Sequence, residues 1–155
     1  MDFVSPDSGA PFPGNETFSG QVGASGRTAF LAQDSLAVGR WAEDLAADLL
    51  AEEGYSVCGR NVRVGPCELD LIGFIDGCLT VVEVRCRQKS RLQSPEETVG
   101  PRKWNALVRG IRGYASQTGW NGPMRIDLFA VTVCGRRWSA RWYKDVEMGV
   151  ADCGR

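Results

Sequence analysis

The dipeptide Asp76-Gly77 constrains this chain more than any other pair of its residues. Asp-Gly is favoured where both central residues of a two-residue hairpin turn need positive φ, the type I′ turn. Runs rich in Val, Ile and Leu flank it, Glu68–Ile75 before and Leu79–Arg87 after, so a hairpin of two strands is predicted. A two-residue turn also fixes register. Ile75 faces Cys78, and counting back sets Asp70 opposite Glu83 and Glu68 opposite Arg85. Side chains alternate with period two, so these four are expected on one face. Two carboxylates facing across a strand pair repel each other. A proton, a cationic side chain or a metal ion must neutralise them. Arg85 makes an ion-pair cluster one answer; a divalent cation, which prefers oxygen ligands, is the other.

The 155-residue chain has no histidine. That removes Ser-His-Asp triads, Cys-His dyads and His-ligated zinc. Carboxylates with a hard metal ion are then the natural tools of an enzyme of this composition. The six cysteines, at 58, 67, 78, 86, 134 and 153, contain no CxxC pair, which argues against a four-thiolate zinc site. Five of them fall in or beside strand-like segments and read as reduced thiols acting as small hydrophobes. The beginning, Met1-Asp2-Phe3-Val4-Ser5-Pro6, has neither a basic n-region nor an apolar core, and no apolar run approaches the length of a spanning helix. A cytoplasmic protein without a membrane partner is expected.

Three regions follow along the chain. Residues 1–26 are rich in Gly, Pro, Ser, Asn and Asp and read as a disordered extension. Residues 27–147 form the domain, and 148–155 a frayed tail. Within the domain, Val38, Trp41, Ala42, Leu45, Ala46 and Leu49 recur at helical spacing up to the stop at Gly54, with Asp34 or Ser35 as cap. Tyr55–Arg63 precedes the hairpin as a further strand. Gln88–Gly100 reads as a polar loop, and Pro101 suits the first turn of a second helix. That helix places Trp104, Leu107, Val108, Ile111 and Ala115 on one stripe and Arg102, Arg109 and Arg112 on another. Arg125–Cys134 and Arg137–Val146 read as closing strands. The order α-β-β-β-α-β-β predicts an α/β fold, a mixed sheet flanked by helices.

Charge is unevenly spread. Residues 1–53 hold two basic against nine acidic side chains, whereas 54–155 hold sixteen basic against ten acidic. Arg85, Arg87, Lys89, Arg91, Arg102, Lys103, Arg109 and Arg112 make a local basic stretch. Such a stretch suits a polyanion, although on charge alone a solvated surface is the simpler explanation.

Glu68-Leu69-Asp70-Leu71-Ile72 and Val82-Glu83-Val84-Arg85-Cys86-Arg87 resemble the YraN-like family of small bacterial proteins. The likeness extends to Glu43-x-x-Ala46, Gly54-Tyr55, Arg60-Asn61, Lys103 and Arg125-Ile126-Asp127, over roughly residues 36–133. That resemblance implies a PD-(D/E)xK, restriction-endonuclease-like fold akin to archaeal Holliday-junction resolvases. It also implies site roles. Asp70 and Glu83 would hold Mg²⁺ or Mn²⁺, with the Val84 carbonyl as a third oxygen. Glu43 would approach from the helix to position the metal or its water, and Arg87 and Lys103 would touch a nucleic-acid backbone. Arg109 and Arg112 join that surface if the basic stretch binds a polyanion; an exposed helix face is the simpler reading of both.

Two positions depart from the family pattern. Arg85 stands where the family has its catalytic Lys, and Cys67 where a Gly is usual. An arginine is permanently protonated and cannot take a proton from water, but it stabilises developing negative charge. Three functions therefore follow as expectations. The first is a metal-dependent endonuclease acting on DNA, branched or damaged. The second is a nucleic-acid-binding module with weakened catalysis, and the third a non-enzymatic scaffold. The oligomeric state stays open, a homodimer included.

Overall fold

The computed structural model of the protein describes residues 16–88 and 100–146. Its elements run β1 (Glu16–Gln21), α1 (Ala24–Leu31), α2 (Ser35–Glu52), β2 (Ser56–Val64), β3 (Cys67–Ile75), β4 (Cys78–Gln88), α3 (Pro101–Thr118), β5 (Met124–Cys134) and β6 (Arg137–Tyr143). The six strands form one sheet in the order β1-β6-β5-β4-β3-β2. Only β4 and β5 run parallel, and every other neighbouring pair is antiparallel. The crossover between the parallel strands contains α3, as parallel neighbours require a long connection. The α/β expectation thus holds as a six-stranded mixed sheet with three helices.

The turn that fixes the register forms as its residues dictate. Asp76 has φ 51° and Gly77 φ 71°, and Ile75 pairs with Cys78. Asp34 caps α2, its Oδ1 accepting from the Leu36 and Ala37 N–H groups at 3.1 Å each. Pro101 opens α3, and Gly119, in the left-handed region at φ 72°, closes it.

The predicted disordered extension is corrected over residues 16–26, where β1 and the start of α1 lie. The strand pairs antiparallel with β6, from Glu16 opposite Trp142 to Gln21 opposite Arg137. Phe18 sets its ring 5.9 Å from that of Phe129, and Trp138 Nε1 donates to the Gln21 carbonyl at 3.2 Å. Backbone partners from the far end of the chain order a segment whose own composition is too polar to advertise a strand. The element order is therefore β-α-α-β-β-β-α-β-β rather than the predicted one. Residues 1–15, most of the predicted loop (89–99) and the predicted tail (148–155) lie outside the described residues.

The sheet is covered on two faces. Ala42, Ala46 and Leu50 of α2 pack with Leu71, Val82, Phe129 and Trp142. Trp104, Leu107, Ile111 and Ala115 of α3 pack with Ile72, Leu79, Val81 and Ile126. A Cβ at Gly110 would stand 2.9 Å from Leu69 Cδ2 and 3.0 Å from Cys67 Sγ, so α3 lies close on β3 there. Buried Cys67 and Cys78 serve as small hydrophobes, whereas Cys58 and Cys134 are exposed and do not.

Because Gly77 sits in the left-handed region, a β-branched residue there meets a penalty of about 1–2 kcal/mol. Gly77→Val is expected to lower unfolding stability in urea by that amount while the far-ultraviolet dichroism of the folded protein stays unchanged.

Candidate active site

The β3–β4 ladder runs from Ile75↔Cys78 to Leu71↔Val82. At the next position a side chain replaces the ladder: Asp70 Oδ2 accepts the Val84 N–H at 2.9 Å. Strand alternation breaks at the same place. Leu69 packs in the α3 layer and Leu71 in the α2 layer, although two residues along a regular strand share a face. Across β2, the neighbouring Asn61 adopts the left-handed φ of 49°, a conformation that Asn tolerates better than most residues. The polar side chains of this irregular stretch gather where the strands part.

Glu83, from β4, is the buried centre of the cluster at 2 % exposure. Its Oε1 receives Arg85 Nη2 at 3.2 Å and Lys103 Nζ at 3.5 Å. Its Oε2 is buried with no hydrogen-bond donor. Burial first, and the Asp70 carboxylate second, push the Glu83 carboxyl up to about 7, against the opposing pull of Lys103 and Arg85. An ionised Glu83 therefore leaves one oxygen uncompensated. With a proton it can hydrogen-bond to Asp70. Asp70 and Glu83 do meet, although the paired register ends one residue short of them, at Leu71↔Val82.

Glu43 reaches the same cluster from α2. It is half-buried, and its Oε2 accepts from Asn61 Nδ2 at 3.1 Å. Desolvation raises its proton affinity, opposed by the Asn61 hydrogen bond and reinforced by Asp70. Asn61, which the Arg60-Asn61 motif names without a role, is the donor that orients Glu43. Lys103, expected on a nucleic-acid surface, instead reaches into the acid pair from the first turn of α3.

The predicted opposition of Glu68 and Arg85 is corrected. Glu68 pairs with Arg63 across β2 and β3 at 3.2 Å, while Arg85 turns to Glu83 on its own strand. The break in alternation at Asp70 is the reason, since it takes Glu68 off the face that Arg85 occupies. Arg87 is half-buried and donates to the Cys86 carbonyl at 3.0 Å. Arg109 and Arg112 are exposed on α3 and form none of the ion pairs at the acid pair. Asp127 belongs to a separate buried cluster. Its Oδ2 accepts from Arg125 Nη2 at 3.0 Å and Trp142 Nε1 at 2.9 Å, and its Oδ1 from the Asp145 N–H at 2.8 Å.

Among the described residues, no three His, Cys, Asp or Glu side chains converge as a ready metal cage. The donor set is two carboxylates, one with an orphaned buried oxygen. That set suits a small hard cation such as Mg²⁺, which binds through one or two carboxylates and keeps several waters.

A mixed α/β sheet that sets half-buried Asp70 against buried Glu83, with two cations on one Glu83 oxygen, defines the class of site. The chain belongs to the uncharacterised protein family UPF0102, whose model matches residues 42–131. This agrees with the YraN-like resemblance of its motifs. A UPF0102 protein of Oleidesulfovibrio alaskensis is 37% identical over 102 residues, covering 65% of this chain. The chain spans 50% of that relative's length. Another from Herpetosiphon aurantiacus is 34% identical over 108 residues, which is 66% of this chain and 87% of the relative. One from Syntrophomonas wolfei reaches 40% over 81 residues, 52% of this chain and 70% of the relative.

The raised Glu83 carboxyl has a thermodynamic consequence. An unfolded glutamate titrates near 4.5 and the folded one near 7. Between these values the folded protein holds a proton that the unfolded chain has lost, so the stability favouring the protonated form is complete below about 4.5. It disappears as pH rises through about 7, a change on the order of 3 kcal/mol. Glu83→Gln, which cannot ionise, is expected to melt progressively higher than the wild type as pH goes from 5 to 8 in the presence of a chelator. The comparison is read by calorimetry.

Proposed function

We propose that this chain is a nuclease-like protein that hydrolyses phosphodiesters of DNA with the help of Mg²⁺ or Mn²⁺. Branched or damaged duplexes are the substrates that its family resemblance favours. The observation that carries this reading is the buried Glu83 oxygen without a donor, set against Asp70 where the β3–β4 ladder opens. The mixed sheet, with α2 bringing Glu43 near Asp70 and α3 bringing Lys103 to Glu83, supports a restriction-endonuclease-like arrangement. No helix of the described residues is long and apolar enough to cross a membrane.

Asp70 and Glu83 are the residues to hold the cation, with the Val84 carbonyl as a further oxygen. When bound, such an ion activates water and stabilises charge on the phosphodiester. The chain's own groups do the rest. Asp70 is fixed by the Val84 N–H, so its carboxylate needs no rearrangement to receive a ligand. Glu43, oriented by Asn61, is placed to orient a water. Arg85, permanently charged, offsets negative charge at the site without exchanging a proton. A second reading, a DNA-binding module with weakened catalysis, draws on that same Arg85 in place of the family's lysine. The exposed Arg109 and Arg112 suit binding to phosphates in either case.

Mn²⁺ titrated into the protein by calorimetry is expected to bind, and Asp70→Asn to weaken that binding at least about tenfold, the scale on which even outer-shell partners act. Asn still accepts from the Val84 N–H, so the fold is retained. Unchanged Mn²⁺ affinity would leave a structural ion-pair cluster. On a four-way branched DNA, Glu charge reversals at Arg109 and Arg112 are expected to weaken binding across sequences. They should also reduce the salt dependence by about one unit of slope for each phosphate that is no longer neutralised. Binding that ignores salt would point to the scaffold instead.

A further inference from the structure

Two cations share one oxygen of Glu83, and they come from different elements. Arg85 lies two residues along the same strand, and its Nη2 is 3.2 Å from Oε1. Its side chain is 23% exposed, and its Nε is buried with no acceptor. Lys103 arrives from the first turn of α3, with Nζ at 3.5 Å from that oxygen and a side chain 35% exposed. Of the two, Lys103 exerts the larger electrostatic pull on Glu83. The chemistry of the heads differs too. A guanidinium holds its donors in one rigid plane, whereas an ammonium carries three donors that rotate about a single bond. One N–H of Lys103 directed at Glu83 leaves two to turn toward a ligand arriving from solvent. Arg85, more enclosed and anchored on the carboxylate of its own strand, has less freedom to follow a phosphate.

We propose that Lys103 is a catalytic residue: brought in by α3, it supplies the ammonium that β4 lacks, donating a hydrogen bond to a non-bridging oxygen of the phosphodiester under attack. This rests on the nuclease reading and deepens it. In the hydrolysis a water oxygen bonds to phosphorus while the bond from phosphorus to a deoxyribose oxygen breaks. The proton released by the water passes to solvent, and the departing oxygen gains one from solvent. Lys103 keeps its protons throughout and acts by charge and hydrogen bonding on the phosphoryl oxygens. Arg85 then serves as a positioning residue that holds the Glu83 carboxylate.

The test compares wild type, Lys103→Ala, Lys103→Arg and Arg109→Ala by single-turnover cleavage of a four-way branched DNA at saturating protein. DNA affinity is measured with Ca²⁺ in place of Mg²⁺, and Mn²⁺ affinity by calorimetry without DNA. Lys103→Ala is expected to lower the saturated rate by about 100-fold, the scale of losing one preorganised donor to developing charge. Its DNA affinity should change less than about threefold, since one phosphate among many is affected. Lys103→Arg, which keeps the charge, should recover part of the rate. Arg109→Ala, which also removes one phosphate contact, should change DNA affinity no more than Lys103→Ala does, so it calibrates the loss of charge alone. In the Mn²⁺ arm, removing a positive charge beside Glu83 should tighten metal binding by about tenfold. A Lys103→Ala protein with the wild-type saturated rate and weakened DNA binding would overturn the proposal, making Lys103 a plain backbone-binding residue. Wild-type protein that binds Mn²⁺ but cleaves no DNA would overturn the nuclease reading, and the catalytic role of Lys103 with it. The Mn²⁺ arm then still decides whether Lys103 sits at the acid pair, since unaltered affinity in Lys103→Ala would overturn that placement as well.

Discussion

A single hydrogen bond, from the Val84 N–H to Asp70 Oδ2, organises the acid pair and the strands around it. In a regular ladder that donor would go to a backbone carbonyl. Here a side chain takes it, so β3 can leave the plane of β4 without orphaning a buried N–H, which is costly in a protein interior. The departure lets Leu69 settle under α3 while Leu71 stays under α2. It also leaves a gap in which Glu83 is enclosed by sheet and helix, with cations on one oxygen and nothing on the other.

The polar centre is held in place by apolar packing on both sides. Gly110 allows α3 to lie against Cys67 and Leu69 closely enough for its first turn to present Lys103 to Glu83. On the opposite face, the small side chains Ala42 and Ala46 let α2 approach the sheet, and Glu43 rides on that helix to the cluster's edge. Cys67 is accommodated because its sulfur lies beneath Gly110 of the helix. Lys103 of α3 thus joins Arg85 of β4 in offsetting the acid pair, while α2 adds a further carboxylate near Asp70.

Family membership and geometry describe the chain from different directions. Membership in UPF0102 relates the chain to proteins that share its motif-bearing core, residues 42–131. The geometry adds what a motif does not carry: which carboxylate oxygen lacks a partner, and which cation comes from which element. Asp127, part of the same sequence resemblance, shows the value of that distinction. Its three hydrogen-bond donors satisfy it within a buried cluster of its own, and a structural role accounts for it fully.

The hairpin, its register, the meeting of Asp70 with Glu83, and the extents of α2 and α3 are all legible in the sequence, because they depend on local rules. Asp-Gly sets a turn, alternation and helical periodicity set faces, and Asp34, Pro101 and Gly119 set helix ends. That residues 16–21 are a strand emerges only in the folded chain, since the hydrogen bonds that order them come from β6, at the other end of the domain. The partners of the charges emerge there too. Strict alternation joins Glu68 to Arg85, but the side-chain hydrogen bond of Asp70 breaks that alternation and sends Glu68 to Arg63. Lys103 is distant from Glu83 in sequence, and only the packing of α3 on β3 brings the two together. Periodicity reports which face a residue belongs to; which charges meet depends on where strands part and helices land, and those are set by packing between elements.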